Sequence, residues 1–199
     1  MYILGVTGGV GAGKSEVLLF LEREYGARVM RADEAAHDLM EPGGSCHGDI
    51  LRILGRDVLA PDGSLDRRAA AAKIFADDEL RQAVNGIVHP AVREYISADI
   101  EENRRAGCAL YVLEAALLLE ENYDEICNEV WYIYADEQVR KKRLAASRGY
   151  TEEKTVSIMK SQRSDREFRE RCRTVIDNSG SFEETEKQIR RRLEELSAT

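Results

Sequence analysis

Gly8-Gly9-Val10-Gly11-Ala12-Gly13-Lys14-Ser15 is the stretch on which the reading of this 199-residue chain turns. Before it lies the short apolar run Tyr2-Ile3-Leu4-Gly5-Val6-Thr7, rich in residues that favour strands. After it, Val17, Leu18, Leu21 and Tyr25 recur at helical spacing, and Gly26 supplies the stop. Strand, glycine-rich loop and helix in this order fit the pattern GxxxxGK[ST], and each part has a physical reason. Glycines let the backbone adopt positive φ and bring its N–H groups against phosphate oxygens. The helix N-terminus adds its dipole. Lys14 can reach the outer phosphates, and Ser15 offers a hydroxyl to Mg²⁺. Gly9, Gly11, Ala12, Gly13, Lys14, Ser15 and Glu16 are therefore read as the phosphate-binding residues of an ATP or GTP site, with Ser15 as the metal ligand.

Outward from the loop, strand and helix patterns alternate. Further strands are expected at 27–30, 109–113, 129–134 and 174–177. Helices are expected at 33–39, closed by Pro42-Gly43-Gly44, at 136–147, 151–162 and 164–171, and at 182–196. Residues 45–105 read as mostly helical, with a Pro61-Asp62-Gly63 turn and a break at His89-Pro90. This alternation predicts a three-layer α/β/α fold of the P-loop NTPase type, with a five-stranded parallel sheet. Residues 1–42, 106–135 and 172–199 would form the core, 43–105 a helical insertion and 136–171 a helical lid. Excursions near strand ends commonly cover a ligand.

Composition removes other classes. With 43% hydrophobic and 33% charged residues the chain is not disordered as a whole, and a net charge of −8 argues against a general nucleic-acid binder. The longest apolar stretch, 109–119, is 11 residues with Glu114 inside it, about half of a membrane span. No basic leader precedes Tyr2, so no signal peptide is expected. Four cysteines without a CxxC pair, and three scattered histidines, suggest reduced thiols in a cytoplasmic protein and no zinc site. The chain is expected to have no membrane or nucleic-acid partner, and to be a monomer or weak homo-oligomer. No NKxD-type guanine motif is present. The nearest approach to a Walker B strand, Leu110-Tyr111-Val112-Leu113-Glu114, ends in glutamate. A small-molecule kinase fits better than a GTPase or a motor-like ATPase.

Asp33 follows the second expected strand. From there a carboxylate would face the phosphate loop across the C-terminal edge of the sheet, and could orient an attacking hydroxyl or take its proton. It could equally cap the following helix. At this point a resemblance covers residues 3 to about 180. TGGVGAGKS, ADEAAH, PDGSLDR, HP, LLLE, SRG and VIDNSG resemble, in order and spacing, the motifs of dephospho-coenzyme A kinases. The loop is widely shared, whereas Asp62 to Arg67, followed by Phe75 and His89-Pro90, is much more particular.

That resemblance implies ATP-dependent phosphorylation of the ribose 3′-hydroxyl of dephospho-CoA, the last step of coenzyme A synthesis, with Mg²⁺. It implies a helical substrate-binding insertion and a lid. Asp33 matches the family's base, acting with Lys14 and Arg148. Asp33, His89 and Leu117 would meet the acceptor. A histidine before proline is held extended, so the His89 ring could be aimed at a ligand or could pack a helix end. Arg143 and Arg148 would clamp phosphates on closure, although either could belong to an exposed helix face. Arg140, Lys141 and Lys142 are weaker candidates, and Arg163, Arg166, Arg169, Arg171 and Arg173 read as a solvated face. The sequence departs from the family pattern at Glu16, Arg31, Ala116 and Cys172-Arg173. A related nucleoside or nucleotide kinase, or a catalytically silent nucleotide-binding regulator, are the alternative readings.

Overall fold

The computed structural model describes residues 1–197, and five strands form its sheet. They are β1 (Tyr2–Thr7), β2 (Arg28–Arg31), β3 (Leu110–Glu114), β4 (Glu129–Tyr134) and β5 (Thr174–Asp177), in the order β2-β3-β1-β4-β5. β1 pairs in parallel with β3 and β4, and β4 with β5, which sets Val6 beside both Glu114 and Trp131. The helices are α1 (Lys14–Tyr25), α2 (Ala32–Met40), α3 (His47–Leu54), α4 (Arg67–Ala76), α5 (Asp78–Arg105), α6 (Glu137–Arg148), α7 (Glu152–Lys160), α8 (Asp165–Arg171) and α9 (Phe182–Ser197). The chain divides into two compact units, Met30–Ala106 and the remainder.

In the first unit β1 is buried from Ile3 to Thr7, as a central parallel strand covered on both faces must be. One face carries Leu4, Val6, Val112, Trp131, Ile133 and Ile176, packed with Val17, Leu18 and Leu21 of α1 and Ile189 of α9. Each large side chain fully buried here contributes on the order of 2 kcal/mol. The other face has no room for a side chain at Gly5, where a Cβ would lie 3.0 Å from Cys127 Sγ and 3.2 Å from Leu118 Cδ1. On that same face Phe168 of α8 stacks on Tyr132, with ring centroids 4.6 Å apart. α1 stops at Gly26, whose φ of 59° lets its N–H reach Leu21 O.

The second unit is helical beyond β2. α5 buries Val84, Val88, Val92, Ile96 and Ile100, one residue per turn, and α2, α3 and α4 pack against it. α2 belongs to this packing, and the unit runs from Met30 to Ala106. The break expected at His89-Pro90 does not form, and α5 runs through both residues. Pro90 is exposed, so its ring displaces no core side chain. The hydrogen bond it forfeits is outweighed by the buried stripe on either side. His89 is consequently helical and half-buried rather than extended. The segment PDGSLDR has a structural account. Asp62 accepts from Ser64 N at 3.0 Å around Gly63, and Asp66 caps α4 through Arg68 N and Ala69 N.

Candidate active site

The loop between β1 and α1 closes around Lys14. Its Nζ donates to Gly8 O at 2.9 Å and lies 3.6 Å from Glu114 Oε1, with both side chains largely buried. Glu114 ends β3 one strand away from the loop, so the carboxylate noted in LYVLE meets the loop lysine through sheet register. Gly13 has φ 89°, and a Cβ there would sit 2.2 Å from Asn178 Nδ2. Gly9 needs no unusual φ, but a Cβ there would come within 2.4 Å of Arg140 Nη2, so the guanidinium would have to shift.

Asn178 and Gln162, which had no role in the sequence reading, build the loop's walls together with Arg140, one of the weaker candidates. Asn178 follows β5 and is fully buried. Its Nδ2 donates to Ala12 O at 2.8 Å while its Oδ1 accepts from Thr185 Oγ1 at 2.9 Å, which ties the loop to α9. Arg140 Nε donates to Val10 O at 2.8 Å, and Arg140 Nη2 donates to Gln162 Oε1 at 3.0 Å. Gln162 Oε1 also accepts from Val10 N at 3.0 Å. Arg143, one turn after Arg140, donates to Ala12 O at 3.4 Å. Burial pushes the Arg140 guanidinium below its ordinary range, against the raising effect of Tyr132 and Glu137. An arginine so placed remains cationic at neutral pH. Asn178 lay within the VIDNSG motif, but nothing local marked its partner.

The structure thus sets Arg140 and Arg143, not Arg148, against the loop. Arg148 ends α6 on an exposed surface, 5.9 Å from the Tyr150 ring centroid. Arg163, expected on a solvated face, pairs with Glu120 at 2.5 Å. A cavity of about 530 Å³ opens beside the loop, lined by Gly8, Leu117, Glu120, Gln162, Arg163 and Phe168 among others. Leu117 is half exposed there.

The second unit carries its own pocket, about 620 Å³, lined on one side by Asp33, Glu34, His37 and Asp38 and elsewhere by Arg67 and apolar groups such as Ile74. Asp33 is the second residue of α2. The cap position falls on Arg31 in extended backbone, with no side-chain capping bond, so Asp33 is not the helix cap. His37 Nε2 is buried without a hydrogen-bond partner, 3.6 Å from Glu41 Oε1. His89 is not among the residues lining this pocket. Among the described residues no cluster of three His, Cys, Asp or Glu could hold a metal ion. Ser15 is exposed at the start of α1, where its hydroxyl is open to a ligand.

A parallel sheet whose central strand runs into a glycine loop closed on a lysine, with arginines set over that loop, in a chain that matches a kinase family model, defines a P-loop kinase. The chain belongs to the dephospho-CoA kinase family, whose model matches residues 2–184. It is 38% identical over 198 residues to a dephospho-CoA kinase of Geobacter sulfurreducens, covering 100% of this chain and 98% of the relative. A solved structure from Thermus thermophilus superposes with a TM-score of 0.81 at 31% identity, covering 98% of this chain and 97% of that one. A dephospho-CoA kinase from Campylobacter jejuni shares the fold at a TM-score of 0.73 and 20% identity, over 98% and 97% of the two chains. Among the described residues no helix is long and apolar enough to cross a membrane.

Proposed function

We propose that this kinase transfers the γ-phosphoryl group of ATP to the ribose 3′-hydroxyl of dephospho-CoA, the final step of coenzyme A formation. The observation that carries the reading is the phosphate loop closed on Lys14, in a chain that matches the family over nearly its whole length. The N–H groups of Gly9, Gly11, Ala12, Gly13, Lys14, Ser15 and Glu16 and the N-terminus of α1 bind the phosphates. Lys14 exchanges Gly8 O for a phosphate oxygen. Arg140 and Arg143 balance the charge spread over the transferring group, and Arg148 joins them on closure of the lid, 136–171.

Asp33 orients the acceptor hydroxyl and takes its proton late, as the new O–P bond forms and the bond to the ADP oxygen breaks. His89 and Leu117 contact the acceptor, bound by the helical insertion, 43–105. Ser15 Oγ, together with phosphate oxygens, would hold Mg²⁺; with no protein cage available, the nucleotide must supply most of the ligands. The ion would screen the phosphate charge. We place the enzyme in the cytoplasm as a monomer or weak homo-oligomer, without nucleic-acid partners.

A coupled ADP-release assay comparing dephospho-CoA with adenosine, AMP and CMP tests this. kcat/KM for dephospho-CoA should exceed the others by about 10⁴ or more, since a site built to pair polar groups rejects acceptors lacking them. Equal or better turnover of a nucleoside or nucleotide would overturn the acceptor assignment. Tight ATP binding without turnover of any acceptor would favour a silent regulator.

A further inference from the structure

Val10, at the tip of the phosphate loop, has both its N–H and its C=O bound by side chains from outside the loop. Gln162 Oε1 accepts from Val10 N and from Arg140 Nη2, and Arg140 Nε returns a hydrogen bond to Val10 O. These three bonds close a ring through one loop residue, one guanidinium and one amide. Both groups that Gln162 Oε1 meets are N–H donors, so only the amide oxygen can face them and the amide orientation is fixed by chemistry. The ring joins Arg140 of α6 and Gln162, two residues past α7, to a loop 130 and 152 residues earlier.

An amide at this position has a consequence that a carboxylate would not. Arg140 is half-buried and forms no ion pair among the described residues. A neutral acceptor fixes the direction of the guanidinium without placing a countercharge against it beside the loop. A glutamate would fix the same direction and cancel that charge next to a phosphate site.

We propose that Gln162 is a positioning residue for phosphoryl transfer, holding the Val10 backbone and the Arg140 guanidinium in register while leaving the arginine's charge for the transferring phosphate. It touches no reacting atom, and acts through Arg140 and the loop. The role rests on the kinase reading above, but not on the identity of the acceptor.

The test uses the full chain in five forms: wild type, Gln162→Met, Gln162→Glu, Arg140→Ala and the Arg140→Ala/Gln162→Met double variant. Methionine keeps the volume and removes the acceptor. Each form is measured for Tm, for ATP binding by calorimetry without any acceptor, and for kcat and KM with the acceptor that wild type turns over best. Gln162→Met should lower kcat roughly 10- to 100-fold, the cost of misplacing a charged group by about an ångström, with KM for ATP changed less. Its Tm should stay within about 4 °C of wild type, the shift that loss of about 1 kcal/mol brings. The double variant should be no slower than Arg140→Ala alone, because residues acting as a unit are non-additive. Gln162→Glu should weaken ATP binding about tenfold or more while Tm holds or rises.

Multiplicative losses in the double variant would sink the proposal, as would wild-type kcat in Gln162→Met or a kcat loss tracking a collapse in Tm. Unchanged ATP binding in Gln162→Glu would also count against it. If dephospho-CoA proves not to be the acceptor, the functional assignment fails while these comparisons still decide the role of Gln162.

Discussion

The glycines of the phosphate loop answer two different demands, and single substitutions separate them. Gly13 must take φ 89° and must also leave space for the buried Asn178 amide, 2.2 Å from where a Cβ would stand. Gly13→Ala is expected to destabilise the protein by about 2–4 kcal/mol, combining backbone strain with loss of a buried hydrogen bond. Urea unfolding and ATP calorimetry check this, and wild-type stability would mean that Asn178 moves aside at no cost. Asp33 makes the opposite case. It is not the N-cap of α2, and asparagine keeps its shape and most of its hydrogen bonding, so Asp33→Asn should cost less than about 1 kcal/mol of stability. As the base it should lower kcat by roughly 10²–10⁴ with ATP binding intact. Full activity at saturating ATP and acceptor would remove Asp33 from the proton transfer.

Two helices show how an element decides what its residues can do. Along α6 each residue advances about 100° and about 1.5 Å, so Arg143 lies about 60° to one side of Arg140, whereas Arg148 lies about 80° to the other side and about 12 Å further along the axis. Arg140 and Arg143 meet the loop and Arg148 meets Tyr150. Arg140→Ala should therefore cost roughly 10²–10³ in kcat, and Arg148→Ala clearly less. Equal losses would mean that closure brings the C-terminal end of α6 onto the nucleotide. In α5 the proline is tolerated because the stripe from Val84 to Ile100 holds the helix against its neighbours. Pro90→Ala restores a backbone N–H in an exposed mid-helix position and should stabilise the protein by about 1–3 kcal/mol. A lower Tm for that variant would show that a bend at Pro90 is needed for packing.

Across the whole first unit, one buried carboxylate joins distant strands to the last helix. Glu129, 7% exposed, receives two bonds from Arg192 of α9 at 2.9 and 3.0 Å, one from Tyr2 of β1 at 3.0 Å, and one from Thr174 of β5. Burial would raise its pKa, but the Arg192, Thr174 and Tyr2 donors outweigh that and hold it below the ordinary value. A folded pKa lower than the unfolded one adds stability above the unfolded value near 4.3, and that stability is lost as pH falls through the folded pKa. Tyr2 is pushed up to about 12, by burial first and then by its bond to Glu129, so the phenol stays a donor until strongly alkaline pH. Glu129→Gln should cost about 3 kcal/mol at pH 7, with the gap to wild type narrowing well below pH 4. A gap of the same size at pH 7 and pH 3 would show that packing, not charge, carries the effect.

What could be read from the sequence was what neighbouring residues decide among themselves. The β1–loop–α1 unit, the Gly26 stop and β4 at 129–134 are written in apolar spacing and glycine placement, and they are where expected. The order of short motifs along the chain carried the family resemblance, because each motif is a local run of residues. His89-Pro90 was misread for the same reason: the local rule says extended, and only the packing of α5 overrides it. The loop's partners were not legible at all. Asn178 meets Ala12 across 166 positions and Gln162 meets Val10 across 152, with no local pattern to pair them. Those contacts depend on strand order, on the register that sets Glu114 beside Val6, and on which face α6 turns toward the loop. Strand order, register and helix phase are set when layers pack to bury their apolar faces, so only the tertiary structure could decide which of several similar arginines meets the loop.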